Sequence, residues 1–93
     1  MKPEVTHDPA HRRFETVVDG ERGVLDYERE GSAMIILHVL VPDAIGGRGI
    51  GGALTHAAFE SARNDGLRVV PQCPFAEAYA RKHPEFADLV IAG

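Results

Sequence analysis

Five of the seven residues from 46 to 52 are glycine, in the run Gly46-Gly47-Arg48-Gly49-Ile50-Gly51-Gly52. Glycine admits positive φ and lets other groups approach the backbone closely, but each one adds unfolded-chain entropy that folding must remove. A turn alone needs one or two. Ahead of a helix, such a run leaves amide N–H groups free beside the positive end of the helix dipole, which is a phosphate-binding arrangement. The plain alternative is a tight strand-to-helix connection without a ligand. Cys73 is a second chemical candidate, because Pro74 follows it. Proline is favoured at the first helical position, so Cys73 stands at or near an N-cap. Such positions favour thiolate over thiol, and a thiolate is a competent acyl acceptor. The plain alternative is a small buried hydrophobe. His38 interrupts the apolar stretch Ala33–Val41. It serves either as a general base, directly or through water, or as a hydrogen-bonded core residue. Tyr79 reads as a residue packed on the sheet.

These side chains need elements to position them. Met1 to Arg12 is polar, contains Pro3 and Pro9, and reads as a flexible arm over residues 1–12. Its His7-x-x-x-His11 pair has helical metal spacing, but Pro9 lies between and no third ligand is evident, so no metal is expected. Residues 13–93 read as a single domain. Arg13–Val18 alternates as a strand, Asp19-Gly20 is a turn, and Val24–Glu30 returns with Leu25 and Tyr27 on one face and Asp26 and Glu28 on a wet one. Ala33–Val41 is almost continuously apolar, which suits a central strand covered on both faces, with His38 beside Met34, Ile36 and Leu40. Pro42 ends it. Ile50, Ala53, Leu54, Ala57, Ala58 and Ala62 form one helical stripe, stopped at Asn64-Asp65-Gly66. Leu67–Gln72 is the next strand, and a crossover through the helix makes it parallel to residues 33–41. A short helix carries Phe75, Tyr79 and His83 on one side, and Phe86–Ile91 is a last strand or a packed tail. The fold class is α/β, with a mixed, mainly antiparallel sheet, one parallel pair and two helices.

Composition narrows the function. The 93 residues are 44% hydrophobic and 26% charged, an ordinary globular balance. No apolar stretch reaches the ~18 residues of a membrane span. The opening Met1-Lys2-Pro3-Glu4 has no apolar core of a secretory signal. One cysteine excludes an intramolecular disulfide and suits a reducing, cytoplasmic home. Ten basic against 14 acidic residues, net −4, argue against a nucleic-acid partner. The Walker Gly-Lys-Ser/Thr is missing. Gly47-x-Gly49-x-x-Gly52 matches the dinucleotide fingerprint, but that motif follows the first strand of a parallel sheet. Here a meander precedes it and position 72 is glutamine.

Val41-Pro42 followed by Arg48-Gly49-Ile50-Gly51, on a strand–loop–helix–strand unit, resembles the acetyl-CoA motif of the GCN5-related N-acetyltransferases, with Gly46 at the position where that motif has Gln or Arg. His38-x-x-Val41-Pro42, Val69-Val70-Pro71-Gln72-Cys73-Pro74-Phe75 and His83-Pro84-Glu85 extend the resemblance to its small YjdJ/NATD1-type subgroup, from His11 onward. Val39 and Leu40 stand where the subgroup often has Thr and a polar residue. The resemblance implies a compact acyl-CoA N-acyltransferase fold whose parallel strands splay apart. Pantetheine would enter that gap along Val39, Leu40 and Val41. The pyrophosphate would sit over Gly46, Gly47, Arg48, Gly49, Ile50, Gly51 and Gly52, with Arg48 near a CoA phosphate. The implied activity is acetyl transfer from acetyl-CoA to an amine acceptor, either a protein or a small amine. Cys73 would carry the acetyl group or donate a proton, His38 would be the base, and Tyr79 would stand for the tyrosine that protonates the leaving thiolate in the larger superfamily. A noncatalytic acyl-CoA-binding sensor would use the same glycine turn.

Overall fold

The computed structural model describes residues 3–91; Met1, Lys2, Ala92 and Gly93, at the outer ends of the expected arm and domain, lie outside the described residues. Seven main elements follow in order: β1 (Thr6–Asp8), β2 (Arg13–Val18), β3 (Glu21–Glu30), β4 (Ala33–Leu40), α1 (Ile50–Asn64), β5 (Arg68–Pro71) and α2 (Pro74–Lys82). Single 3-10 turns at Pro9–His11 and Asp43–Ile45 and a longer one at Pro84–Leu89 join or follow them. The strands form one sheet in chain order. β1 to β4 are antiparallel neighbours, and β4 and β5 are parallel.

Both helices cover the same face of the sheet. Phe14, Leu25, Tyr27, Met34 and Ile36 from the strands meet Ile50, Leu54, Ala58 and Phe59 of α1 and Ala76 and Tyr79 of α2 in one buried cluster. Phe86 closes the end of it, with its ring 5.1 Å from that of Phe59. The buried stripe of α1 is turned slightly from the sequence expectation: Thr55 and Phe59 are buried, whereas Ala53 and Ala57 are half-buried. The Thr55 hydroxyl donates to the Gly51 carbonyl one turn back (2.8 Å), which satisfies it inside the core.

Three local expectations need correction. The stretch read as a loose arm contains β1, which pairs His7 with Phe14. The His7 ring stacks on Phe14 at 4.0 Å, and its Nε2 lies 2.7 Å from the Tyr27 hydroxyl. Two aromatic neighbours thus hold a segment whose polar composition suggested freedom. β4 is not covered on both faces: Leu37, His38 and Leu40 are exposed, because no helix packs on the second face there. His38 also does not share a face with Met34 and Ile36. Asp26 pairs with His38 while Tyr27 pairs with Ile36, so Leu37 is an extra residue on β4. Such a bulge shifts the period-two alternation by one residue. Val39 therefore takes the core face opposite Leu25, and His38 moves to the open face opposite Asp26.

Candidate active site

The parallel pair opens at one end. β4 and β5 pair from Ala33↔Arg68 to Ile36↔Pro71, and the Gln72 amide donates to the Ile36 carbonyl (3.1 Å). Beyond that point β4 continues to Leu40, paired with β3 alone. Pro71 and Pro74 explain the divergence, since neither can donate to a ladder and Pro74 starts α2. The backbone of Val39–Val41 therefore faces a gap. A cavity of about 420 Å³ lies there, lined by Val39, Val41, the glycine turn and Phe75.

The glycine turn forms the floor of this cavity. Gly47 and Gly49 both have φ of 76°, a left-handed conformation that side chains with a Cβ rarely adopt. Gly49 is the N-cap of α1, with no side chain capping it. The Gly46 amide closes the preceding turn on the Asp43 carbonyl (3.1 Å), and the next backbone amide with an acceptor is Ala53, on Gly49. Among the described residues, the six amides from Gly47 to Gly52 thus have no backbone acceptor. Six free donors at a helix start suit a diphosphate. Arg48 does not point its charge freely outward. Its Nη1 donates to Asp19 Oδ2 (2.6 Å) in the β2–β3 turn. A second cavity of about 620 Å³ shares Gly49 and Gly52 and is walled by Arg48, His56, Tyr79 and His83.

Cys73 is the N-cap of α2, and its Sγ accepts from the Ala76 amide (3.3 Å). The residue is buried on the helix-covered side, within the core cluster. His38 is on the other face, so Cys73 and His38 lie on opposite sides of the sheet. His38 Nε2 is 2.7 Å from Asp26 Oδ2, and Arg13 Nε donates to Asp26 Oδ1 at the same distance. Burial pulls the Asp26 carboxyl up, but the hydrogen bonds from Arg13 and His38 outweigh it and leave it below its ordinary value. Tyr79 has its hydroxyl 3.2 Å from His56 Nδ1, and its ring stacks on His83 at 3.8 Å. Burial raises the Tyr79 phenol, and the carboxylates of Glu85 and Glu60 add to that. His56 and His83 thus flank this tyrosine. Asp26, Arg13 and Phe75 were not singled out by sequence. Only strand register, which sets Asp26 opposite both Arg13 and His38, could have found the first two.

A family model described as GCN5-related N-acetyl-transferase matches residues 13–89. The chain belongs to that family. Among curated relatives, Protein NATD1 of Gallus gallus is 34% identical over 84 residues, which are 87% of this chain and 76% of the relative. Protein NATD1 of Homo sapiens is 35% identical over 83 residues, 86% and 74% of the two chains. An NMR structure of a GCN5-like protein from Staphylococcus aureus superposes with a TM-score of 0.76 at 25% identity, covering 97% of this chain and 89% of that one. The GCN5-related fold is thus present as a five-stranded sheet with two helices on one face. Its parallel pair parts beside the glycine turn. Among the described residues, no helix is long and apolar enough to cross a membrane, and no group of three or more His, Cys, Asp or Glu side chains is placed to hold a metal ion.

Proposed function

We propose that residues 13–93 transfer an acetyl group from acetyl-CoA to a primary amine in the cytoplasm. The observation that carries this reading is the open end of β4 beside six unpartnered amides. The pantetheine arm enters this gap, where the free backbone edge of Val39–Val41 offers it strand-like hydrogen bonds. The amides of Gly47 to Gly52 take the diphosphate. In the transfer, the amine nitrogen attacks the thioester carbonyl, the carbon–sulfur bond breaks, and CoA leaves as thiolate. His38 accepts the proton that the amine loses. In a two-step variant of the transfer, the Cys73 thiolate at the start of α2 first displaces CoA to form an acetyl-cysteine, and the amine then attacks that carbonyl and releases the Cys73 thiolate.

Incubation with CoA, acetyl-CoA or NAD followed by thermal unfolding tests the binding half, because a ligand selective for the native state raises apparent stability. A shift with both CoA forms and none with NAD is expected; a shift with NAD alone overturns the proposal. Intact-mass measurement after acetyl-CoA, with and without an amine panel, tests the chemistry. A noncatalytic acyl-CoA-binding sensor is the second reading. It is favoured by one observation, that the Cys73 sulfur is buried and already serves as a helix cap. A CoA-induced shift with neither acetyl-enzyme nor acetylated amine would establish it.

A further inference from the structure

The face of the sheet away from the helices carries one connected polar array, Arg13–Asp26–His38, across β2, β3 and β4. Each carboxylate oxygen of Asp26 receives one donor: Arg13 Nε on Oδ1 and His38 Nε2 on Oδ2, both at 2.7 Å. An ionised carboxylate only accepts, so neutral His38 carries its proton on Nε2. Nδ1 is then the basic atom, and among the described residues no protein group hydrogen-bonds to it. Surface ion pairs of this kind add little to stability. The place of the array is more telling. His38 is the first residue past the Leu37 bulge, and pairing between β4 and β5 ends two residues earlier, at Ile36. The bulge thus sets an imidazole of defined tautomer two residues past the last β4–β5 pair, on the face that no helix blocks.

Resting on the acetyl-transfer reading above, we infer that Asp26, itself anchored by Arg13, is a positioning residue that holds His38 for proton abstraction from an amine arriving across the open sheet face. As nitrogen bonds to the acetyl carbon and the carbon–sulfur bond breaks, the ammonium proton passes to Nδ1. The resulting imidazolium keeps its Nε2–H on the Asp26 carboxylate. Release of the Nδ1 proton to solvent restores the base, and the CoA thiolate takes a proton from solvent.

Histidine ¹⁵N spectra of the full chain, recorded where His38 is neutral, read the tautomer directly. The Nε2–H form is expected in the unmodified protein, and Nδ1–H as its major form overturns the inference without any variant. In Asp26→Asn, the new amide donates to Nε2, so the tautomer inverts. kcat is expected to fall by ~100-fold, the lower end of what a positioned base supplies, while the CoA-induced thermal shift stays within error of wild type. Asp26→Glu is expected to recover part of the loss. An Asp26→Asn enzyme with wild-type kcat overturns the positioning role alone. A wild type that binds CoA but never acetylates an amine overturns both this inference and the transfer reading.

Discussion

The Phe75 ring lies across Gly51 of α1: a Cβ on Gly51 would stand 2.8 Å from the ring's Cζ. No side chain other than hydrogen fits under the ring where it sits. The contact joins the first turn of α2 to the first turn of α1, so the two helix starts that flank the gap are spaced by one aromatic ring. Phe75 is still 47% exposed, which leaves it free to move outward.

Gly51→Ala tests that spacing. Alanine is better than glycine in a helix by about 1 kcal/mol, and displacement of the ring opposes the gain, so the variant folds with little change in Tm. The displaced ring and the new methyl both stand at the cavity wall. CoA affinity is therefore expected to fall by ~10-fold or more, about 1.4 kcal/mol. In a Phe75→Ala background the same substitution is expected to have a much smaller effect. Calorimetric titration of the four proteins completes a double-mutant cycle. Equal losses in both backgrounds would show that the ring does not transmit the effect.

Gly49→Val loses CoA binding for a backbone reason. A Cβ at Gly49 meets no protein atom within 4 Å, but the residue has φ of 76°. A left-handed conformation costs an ordinary L-residue roughly 1–2 kcal/mol, and more when it is β-branched. The turn relaxes away from that conformation and its amides no longer converge. Gly31→Asn is the control, because Gly31 is also left-handed (φ 56°) but lies in the distant β3–β4 turn. It is expected to leave the CoA-induced thermal shift unchanged. A Gly49→Val protein with wild-type CoA affinity would sink the proposed role of the turn.

Cys73→Ser and Cys73→Ala separate capping from chemistry. Serine is a good N-cap, so Cys73→Ser keeps the Ala76 amide satisfied, whereas Cys73→Ala loses a cap worth up to ~1 kcal/mol. Denaturant titration is expected to rank the serine variant above the alanine variant. Both are expected to bind CoA, neither to form acetyl-enzyme, and turnover by the covalent route to be lost. Full turnover in either variant eliminates the covalent role.

His7 makes stability depend on pH near neutrality. Burial against Phe14 and Tyr27 lowers its pKa from 6.5, and Asp65 and Asp8 only partly offset this. Above pH 6.5 the ring is neutral in both states and the penalty is absent. As the pH falls below 6.5 the unfolded chain takes up the proton first, so stability declines until the lower folded value is reached and then levels off. His7→Phe keeps the stacked ring but removes the titration. Urea midpoints measured from pH 7.5 downward are expected to fall more steeply in wild type than in the variant; parallel curves would refute the assignment.

Much of this protein was legible from sequence alone. The meander, the crossover through α1, the helix start at Cys73-Pro74 and the anion-suited glycine turn all follow from local chemistry: period-two alternation, glycine's access to positive φ, and proline's missing N–H. Tertiary structure decided what depends on register and on a third element. Nothing local marks the Leu37 bulge, because an unbroken apolar run has no alternation to interrupt, yet that one extra residue sends His38 to the face opposite Cys73 and sets it against Asp26. The arm over residues 1–12 looked free because its neighbours Phe14 and Tyr27 are distant in sequence, and only the fold brings their rings to His7. The gap exists because β5 turns away at Pro71 while β4 runs on beside β3, a difference between two strands that neither strand's residues express separately.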